Sequence, residues 1–174
     1  MQKCYRRTDF EWRPQKSVLF VVDCKPLAMV ANGQSPCQEY WCESFQKIIE
    51  KLLILVSLGF APKDISEDFI QWRPRGENVR ADSLCNLAMD QDLGLNWRTS
   101  KDTPRTHFLV HSDGALRRSS SLSAIGYTIT ERMSGGNLKI VADHASLVNA
   151  QSSFHAELDA LDCAICAVIE LVCK

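Results

Sequence analysis

The sequence predicts an α/β domain in which a mixed sheet of five strands carries helices packed against it. Three observations lead there. Short apolar runs have the length and β-branched content of strands, and longer runs repeat their apolar residues every three or four positions. Four carboxylates also sit inside or at the ends of these apolar runs, where a charge is costly. The 174 residues suit one domain with a sizeable core, and 45% hydrophobic and 24% charged content is ordinary for a globular chain. A net charge of −1 gives no long-range attraction for nucleic acid. Any such binding has to come from local patches: Arg6-Arg7, Arg73/Arg75/Arg80 and Arg117-Arg118.

Residues 1–16 read as a polar, basic leader, and the remainder, 17–174, as a single domain. Val18-Leu19-Phe20-Val21-Val22 is an unbroken apolar run, suited to a central strand covered on both faces. Asp23 closes it, Pro26 opens a short helix and Asn32-Gly33 ends it. From about Pro36 to Leu58, Trp41, Phe45, Ile48, Ile49, Leu52 and Leu55 recur at helical spacing. Phe69 to Trp72 reads as a strand, and Arg80 to Met89 as a helix that Asn78 could cap. Residues 91–106 are polar and read as a linker. Beyond them Phe108-Leu109-Val110 is a strand ending at Asp113-Gly114. Leu122 to Thr130 and Leu138 to Ala142 form a hairpin across Ser134-Gly135-Gly136-Asn137. A last helix runs from about Ser152 to Cys173.

The eight cysteines (4, 24, 37, 42, 85, 163, 166 and 173) lack the paired spacing of a zinc site, since Cys163-x-x-Cys166 lies in a helical pattern without a second pair. Reduced, mostly buried thiols of an intracellular protein, in cytoplasm or nucleus, are the expectation. The greasy run from Ile48 to Phe60 is too short for a bilayer, so no membrane role is expected.

Glu157 stands at the head of the stripe Leu161, Ala164, Ile165, Val168 and Val172, where an aliphatic residue would normally face the sheet. A buried carboxylate without a partner costs several kcal/mol, and a shared divalent cation would offset that. The alternative is that Glu157 edges out to solvent in the first turn, where it also favours the helix dipole. Periodicity does not separate the two. Asp23 and Asp113 each follow an apolar strand; if those strands are neighbours, the side chains converge at the carboxyl ends where α/β sheets gather ligands. Taken singly, either residue reads first as a turn former, and Asp82 has a helix-capping reading as well.

The segments that carry these acids resemble the ribonuclease H family. There, a strand ending in Asp-Gly-Ala leads through a hairpin to a helix bearing Ala-Glu-Leu-x-Ala-Leu. A strand ending in Asp-Ser then precedes a helix headed by Asn-x-x-Ala-Asp-x-Leu-Ala-Asn. Here they stand as Asp113-Gly114-Ala115, Ala156-Glu157-Leu158-Asp159-Ala160-Leu161, Asp23-Cys24 and Asn78-Val79-Arg80-Ala81-Asp82-Ser83-Leu84-Cys85-Asn86, the last preceded by Arg73-Pro74-Arg75. The likeness spans about 18–90 and 107–173 in the reverse of the family's order. It implies a circularly permuted ribonuclease H-like domain, with 17–90 as the second half of the family fold, 91–106 as the joining linker and 107–174 as the first half. A fragment of a tandem array, or a domain-swapped dimer, is the alternative to a monomer.

The resemblance implies a metal-dependent endoribonuclease cutting the RNA strand of RNA–DNA hybrids. Asp113, Glu157, Asp23 and Asp82 would bind two Mg2+ ions, with Mn2+ as a substitute. Such ions lie about 3.5–4 Å apart, activate a water and stabilise the leaving oxygen. It also implies that Gly114, Ala115, Ser153, Lys25 and Arg75 bind the nucleic acid. The loop before Asp82 departs from bacterial members in having no histidine, so that either Arg75 partly substitutes for it or turnover is slow. Rival expectations are a hybrid-binding module that turns over poorly and a related nuclease acting on DNA. The histidines at 107, 111, 144 and 155 have no ligand spacing with the acids and are read as surface or packing residues.

Overall fold

The computed structural model describes residues 16–62, 68–91, 94–99, 106–133 and 136–173. Most of the leader, with Arg6-Arg7, and the first half of the Ser134-Gly135-Gly136-Asn137 turn lie outside them. In chain order the elements are β1 (Lys16–Val22), α1 (Lys25–Ala31), α2 (Cys42–Ser57), β2 (Phe60–Ala61), β3 (Ile70–Trp72), α3 (Val79–Gln91), β4 (Leu95–Arg98), β5 (His107–Arg117), β6 (Leu122–Arg132), β7 (Leu138–Val148) and α4 (Ser153–Val172).

The architecture is α/β, with an open mixed sheet in the order β2-β1-β5-β6-β7-β4 and β3 also on β1. β2, β3 and β5 all run parallel to β1, whereas β5, β6, β7 and β4 form an antiparallel series. Among the described residues seven strands replace the five expected. One addition is the two-residue β2; the other is β4, which lies inside the stretch read as a linker. Leu95 to Arg98 pair with Ala145 to Ala142 on the free edge of β7, satisfying backbone groups that a polar composition had suggested were solvated.

β1 is buried on both faces from Val18 to Val22, as its unbroken apolar run requires. Pro26 stands in the first turn of α1, and Gly33 takes the left-handed conformation (φ 70°) that lets the chain leave it. The helix predicted from about Pro36 begins at Cys42, because a 3-10 turn, Glu39–Trp41, intervenes; of its stripe, Ile49 faces solvent. Ser152 caps α4, its Oγ accepting from His155 N at 3.0 Å.

Two glycines set how the helices sit. A Cβ on Gly114 would lie 2.0 Å from the Ala156 carbonyl carbon, and one on Gly126 would lie 2.6 Å from Ala81 O. Gly126 is the cross-strand partner of Asp113, so Gly114 points to the opposite face. α4 and α3 therefore pack backbone-close on opposite faces of the β5–β6 pair. The main core lies between the sheet and α1, α2 and α4. A smaller cluster of Leu84, Cys85, Ala88, Met89, Ala124 and Ala145 lies beneath α3.

Candidate metal centre

The site forms where β1 stops and β5 does not. The two strands are parallel neighbours with Val21 opposite His111, so Asp23, just past the end of β1, comes level with Asp113. Asp113 was expected at a strand end. It instead lies inside β5, which runs on to Arg117 because β6 continues to pair with it as far as Leu122. Beyond β1, side chains take over the main-chain groups of β5. Asn78 Nδ2 donates to Ser112 O (2.9 Å), Cys85 Sγ to Asp113 O (3.0 Å), and Gly114 N donates to Glu157 Oε2 (3.2 Å). Asn78 thus ties α3 to β5 rather than capping its own helix; its Oδ1 has no partner among the described residues.

Asp23, Asp113 and Glu157 converge: each offers a carboxylate oxygen, and these atoms lie within 4.8 Å of one another. Glu157 is 8% exposed and Asp113 1%, which resolves the choice left open by the helical pattern in favour of a buried Glu157. Burial first, and then the charges of Asp23 and Asp82, push the Asp113 carboxyl up to about 7. Burial followed by the charges of Asp113 and Asp23 pushes Glu157 up to about 9, with the Gly114 amide opposing. Asp113 Oδ2 is buried without a hydrogen-bond partner among the described residues. Three oxygen donors so arranged suit a hard divalent cation, which would relieve both the repulsion and the orphaned oxygen. Among the described residues no other cluster of potential ligands does so. Asp143, also buried, is instead paired with Arg80.

Asp82 is close to this cluster but outside it. It lies in the first turn of α3, where Asn86 donates to its Oδ2 (3.2 Å) and its main-chain oxygen (3.0 Å). The Arg75 guanidinium binds it and also stands 3.8 Å from Asp23 Oδ2. Arg75 therefore lies between the fourth acid and the other three. The role of Asn86 was missed in the sequence, although Asn78, Asp82 and Asn86 recur every four residues along one helix face.

The residues expected to face nucleic acid are placed unequally. Lys25 and Ser153 are exposed, whereas Ala115 is half-buried against the α3 cluster and Gly114 is buried with its amide committed to Glu157. Lys25 Nζ stands 5.6 Å from the centroid of the Trp72 ring, whose Nε1 donates to Asp23 O (3.0 Å). Arg117 is paired with Asp90, so that patch is partly neutralised. None of the histidines joins the acids. No helix among the described residues is long and apolar enough to cross a membrane.

Comparison with protein-family models, with curated proteins and with solved structures finds no match to this chain.

Proposed function

We propose that this chain is a metal-dependent endoribonuclease that hydrolyses the RNA strand of RNA–DNA hybrids, built as a ribonuclease H-like domain in circularly permuted order. The observation that carries the reading is the convergence of Asp23, Asp113 and Glu157 within 4.8 Å, with a buried Asp113 oxygen left unpartnered. The connectivity supports it as well. Asp113-Gly114-Ala115 on β5 leads through β6 and β7 to the Ala156-Glu157-Leu158 turn of α4, and the Asp23 strand precedes the helix headed by Asn78. That β1 and β5 pair directly favours a self-contained monomer over a fragment awaiting another copy.

The residues fit Mg2+, with Mn2+ as a substitute, held by Asp23, Asp113 and Glu157; Asp82 is the candidate fourth ligand for a second ion. When bound, such ions lower the pKa of a water and offset charge building on the phosphate and leaving oxygen. The chain itself does the positioning. Gly114 N–H orients Glu157, Asn86 and Arg75 hold Asp82, and the Trp72 indole fixes the Asp23 carbonyl. Lys25 and Ser153 are exposed, which supports their meeting the phosphates and 2′-hydroxyls of an RNA strand. Water is the nucleophile, and the products are a 5′-phosphate and a 3′-hydroxyl.

A second reading rests on Arg75. Because its guanidinium holds Asp82, a module that binds hybrid and cuts it poorly is the rival. Labelled RNA–DNA hybrid, duplex DNA and duplex RNA, each incubated with Mg2+ or chelator, separate the cases. Mg2+-dependent cutting of hybrid RNA, lost in Asp23→Asn, supports the nuclease. Hybrid binding without cutting supports the rival, and cutting of duplex DNA alone overturns both.

A further inference from the structure

Away from the acids, two thiols converge on one oxygen. Cys37 Sγ donates to Gln38 O at 3.3 Å and Cys42 Sγ donates to the same oxygen at 3.5 Å. Cys42 is exposed and Cys37 half-buried, so both can be reached from solvent. They flank a 3-10 turn, Glu39–Trp41, whose Trp41 N–H closes on the same Gln38 carbonyl at 2.8 Å. The turn brings the two ends of this short segment together, although a spacing of four intervening residues announces no pairing in the sequence.

We propose that Cys37 and Cys42 form a redox-modification site that closes to an intramolecular disulfide in the presence of a low-molecular-weight disulfide such as oxidised glutathione. Cys42, the first residue of α2, is the attacking thiol, being the more exposed of the two. Its sulfur bonds to one sulfur of the oxidant, and the broken S–S bond releases one glutathione thiol. Cys37 then attacks the mixed disulfide at the Cys42 sulfur and releases the second. Two protein thiols are oxidised and one glutathione disulfide is reduced to two thiols. A soft metal ion is the competing use of a thiol pair, but among the described residues no third ligand approaches these two.

The loop so closed carries a latch. Tyr40 OH donates to Gln151 Oε1 (3.2 Å), just before α4, and the Trp41 ring lies 5.2 Å from Phe154 and 5.3 Å from His155 in its first turn. That turn leads directly to Glu157. These contacts are made with both thiols free, and closing the disulfide further restrains the aromatic residues that hold the start of α4. The inference does not depend on any nuclease activity.

The test uses the full chain, reduced and then equilibrated with oxidised glutathione. Peptide mapping should show the loss of two hydrogens across Cys37 and Cys42, protection of both from maleimide, and reversal by a dithiol. Amide exchange in residues 153–157 should slow several-fold on oxidation while distant strands are unchanged. Cys42→Ser should abolish the closure and Cys24→Ser should leave it intact; the maleimide footprint on wild type reads the same event without any variant. Stable glutathione adducts at Cys42, dimers linked between chains, or unreacted thiols at both positions would each overturn the proposal. Closure without slowed exchange at α4 would overturn the latch.

Discussion

The amide of Gly114 donates to Glu157 Oε2 at 3.2 Å, and the same glycine lets α4 pack with its backbone almost against β5. A side chain at 114 has nowhere to go: its Cβ would lie 2.0 and 2.2 Å from the Ala156 carbonyl atoms, which are rigid backbone. Gly114→Ala should therefore push α4 off the sheet, at a cost of about 3 kcal/mol or more, and displace Glu157. Urea unfolding should show the loss, with Mg2+ binding weakened even in folded protein. Wild-type stability together with unaltered cation affinity would mean that the close approach is not needed.

The three converging acids predict an unusual pH dependence for metal-free protein. Asp113 and Glu157 are raised to about 7 and about 9, above the roughly 4 of an unfolded carboxyl. Between these limits the native state holds more protons than the unfolded state, so stability falls as pH rises. The stabilising protonation is fully present below about pH 4 and is lost as pH climbs through 7 to 9. The expected decline is a few kcal/mol between pH 5 and pH 9, and millimolar Mg2+ should flatten it, because the cation replaces the protons. Thermal melts at several pH values, with Mg2+ and with chelator, read this directly; a metal-free protein most stable at pH 9 contradicts it.

Replacing Glu157 with glutamine isolates that residue's share. The amide keeps the shape, carries no charge, and can still accept from Gly114. In chelator, Glu157→Gln should come closest to wild type near pH 4. The difference in its favour should widen to a few kcal/mol as pH rises to 9, because the unfolded wild-type carboxyl ionises while the folded one holds its proton. It should gain little from Mg2+ at any pH. Calorimetric titration would show the cation affinity reduced by at least ten-fold. A variant that binds Mg2+ as tightly as wild type removes Glu157 from the site.

Much of this arrangement was legible in the chain because the acids occupy positions that local physics reserves for apolar residues. Glu157 breaks an otherwise aliphatic stripe, and Asp23 ends a run buried on both faces. Asp113 was misplaced at a strand end for a definable reason: Gly114 looks like a breaker, but it is needed inside the strand for the approach of α4. β4 was hidden because an edge strand of four residues exposing Asn96 and Trp97 carries no apolar alternation. Nor could the composition foretell Arg75 on Asp82, since arginines in a loop are usually solvated.

Asn78 illustrates a different kind of error, and its correction is testable. As a helix cap it would be replaceable by serine or aspartate. Its amide instead donates to the buried Ser112 O where β1 no longer covers β5, and Asn78 is itself only 1% exposed. Asn78→Asp should thus be worse than Asn78→Ala, because it removes the donor and adds a fifth carboxylate beside a crowded acidic cluster. Losses of roughly 1–3 kcal/mol for alanine, and more for aspartate, are expected from a buried acceptor left unpaired. Denaturant midpoints decide the order; an aspartate variant as stable as wild type would restore the capping role.

Arg75 makes the opposite prediction from the other site residues, because removing it should strengthen cation binding. Its guanidinium bonds to Asp82 and stands 3.8 Å from Asp23, so it supplies positive charge where a second ion would otherwise sit. The side chain is 70% exposed, and solvent screening keeps the effect modest. Arg75→Ala should tighten Mg2+ or Mn2+ binding a few-fold and free Asp82 to act as a ligand. If the proposed function holds, it should at the same time weaken hybrid binding and reduce its salt dependence, because a positive charge beside the acids is lost. Titration calorimetry with the metal alone and fluorescence anisotropy with labelled hybrid measure the two effects separately. If metal affinity falls on losing Arg75, the guanidinium is organising the acids for a cation instead of competing with one, and Asp82 is then held by Arg75 as a working part of the site.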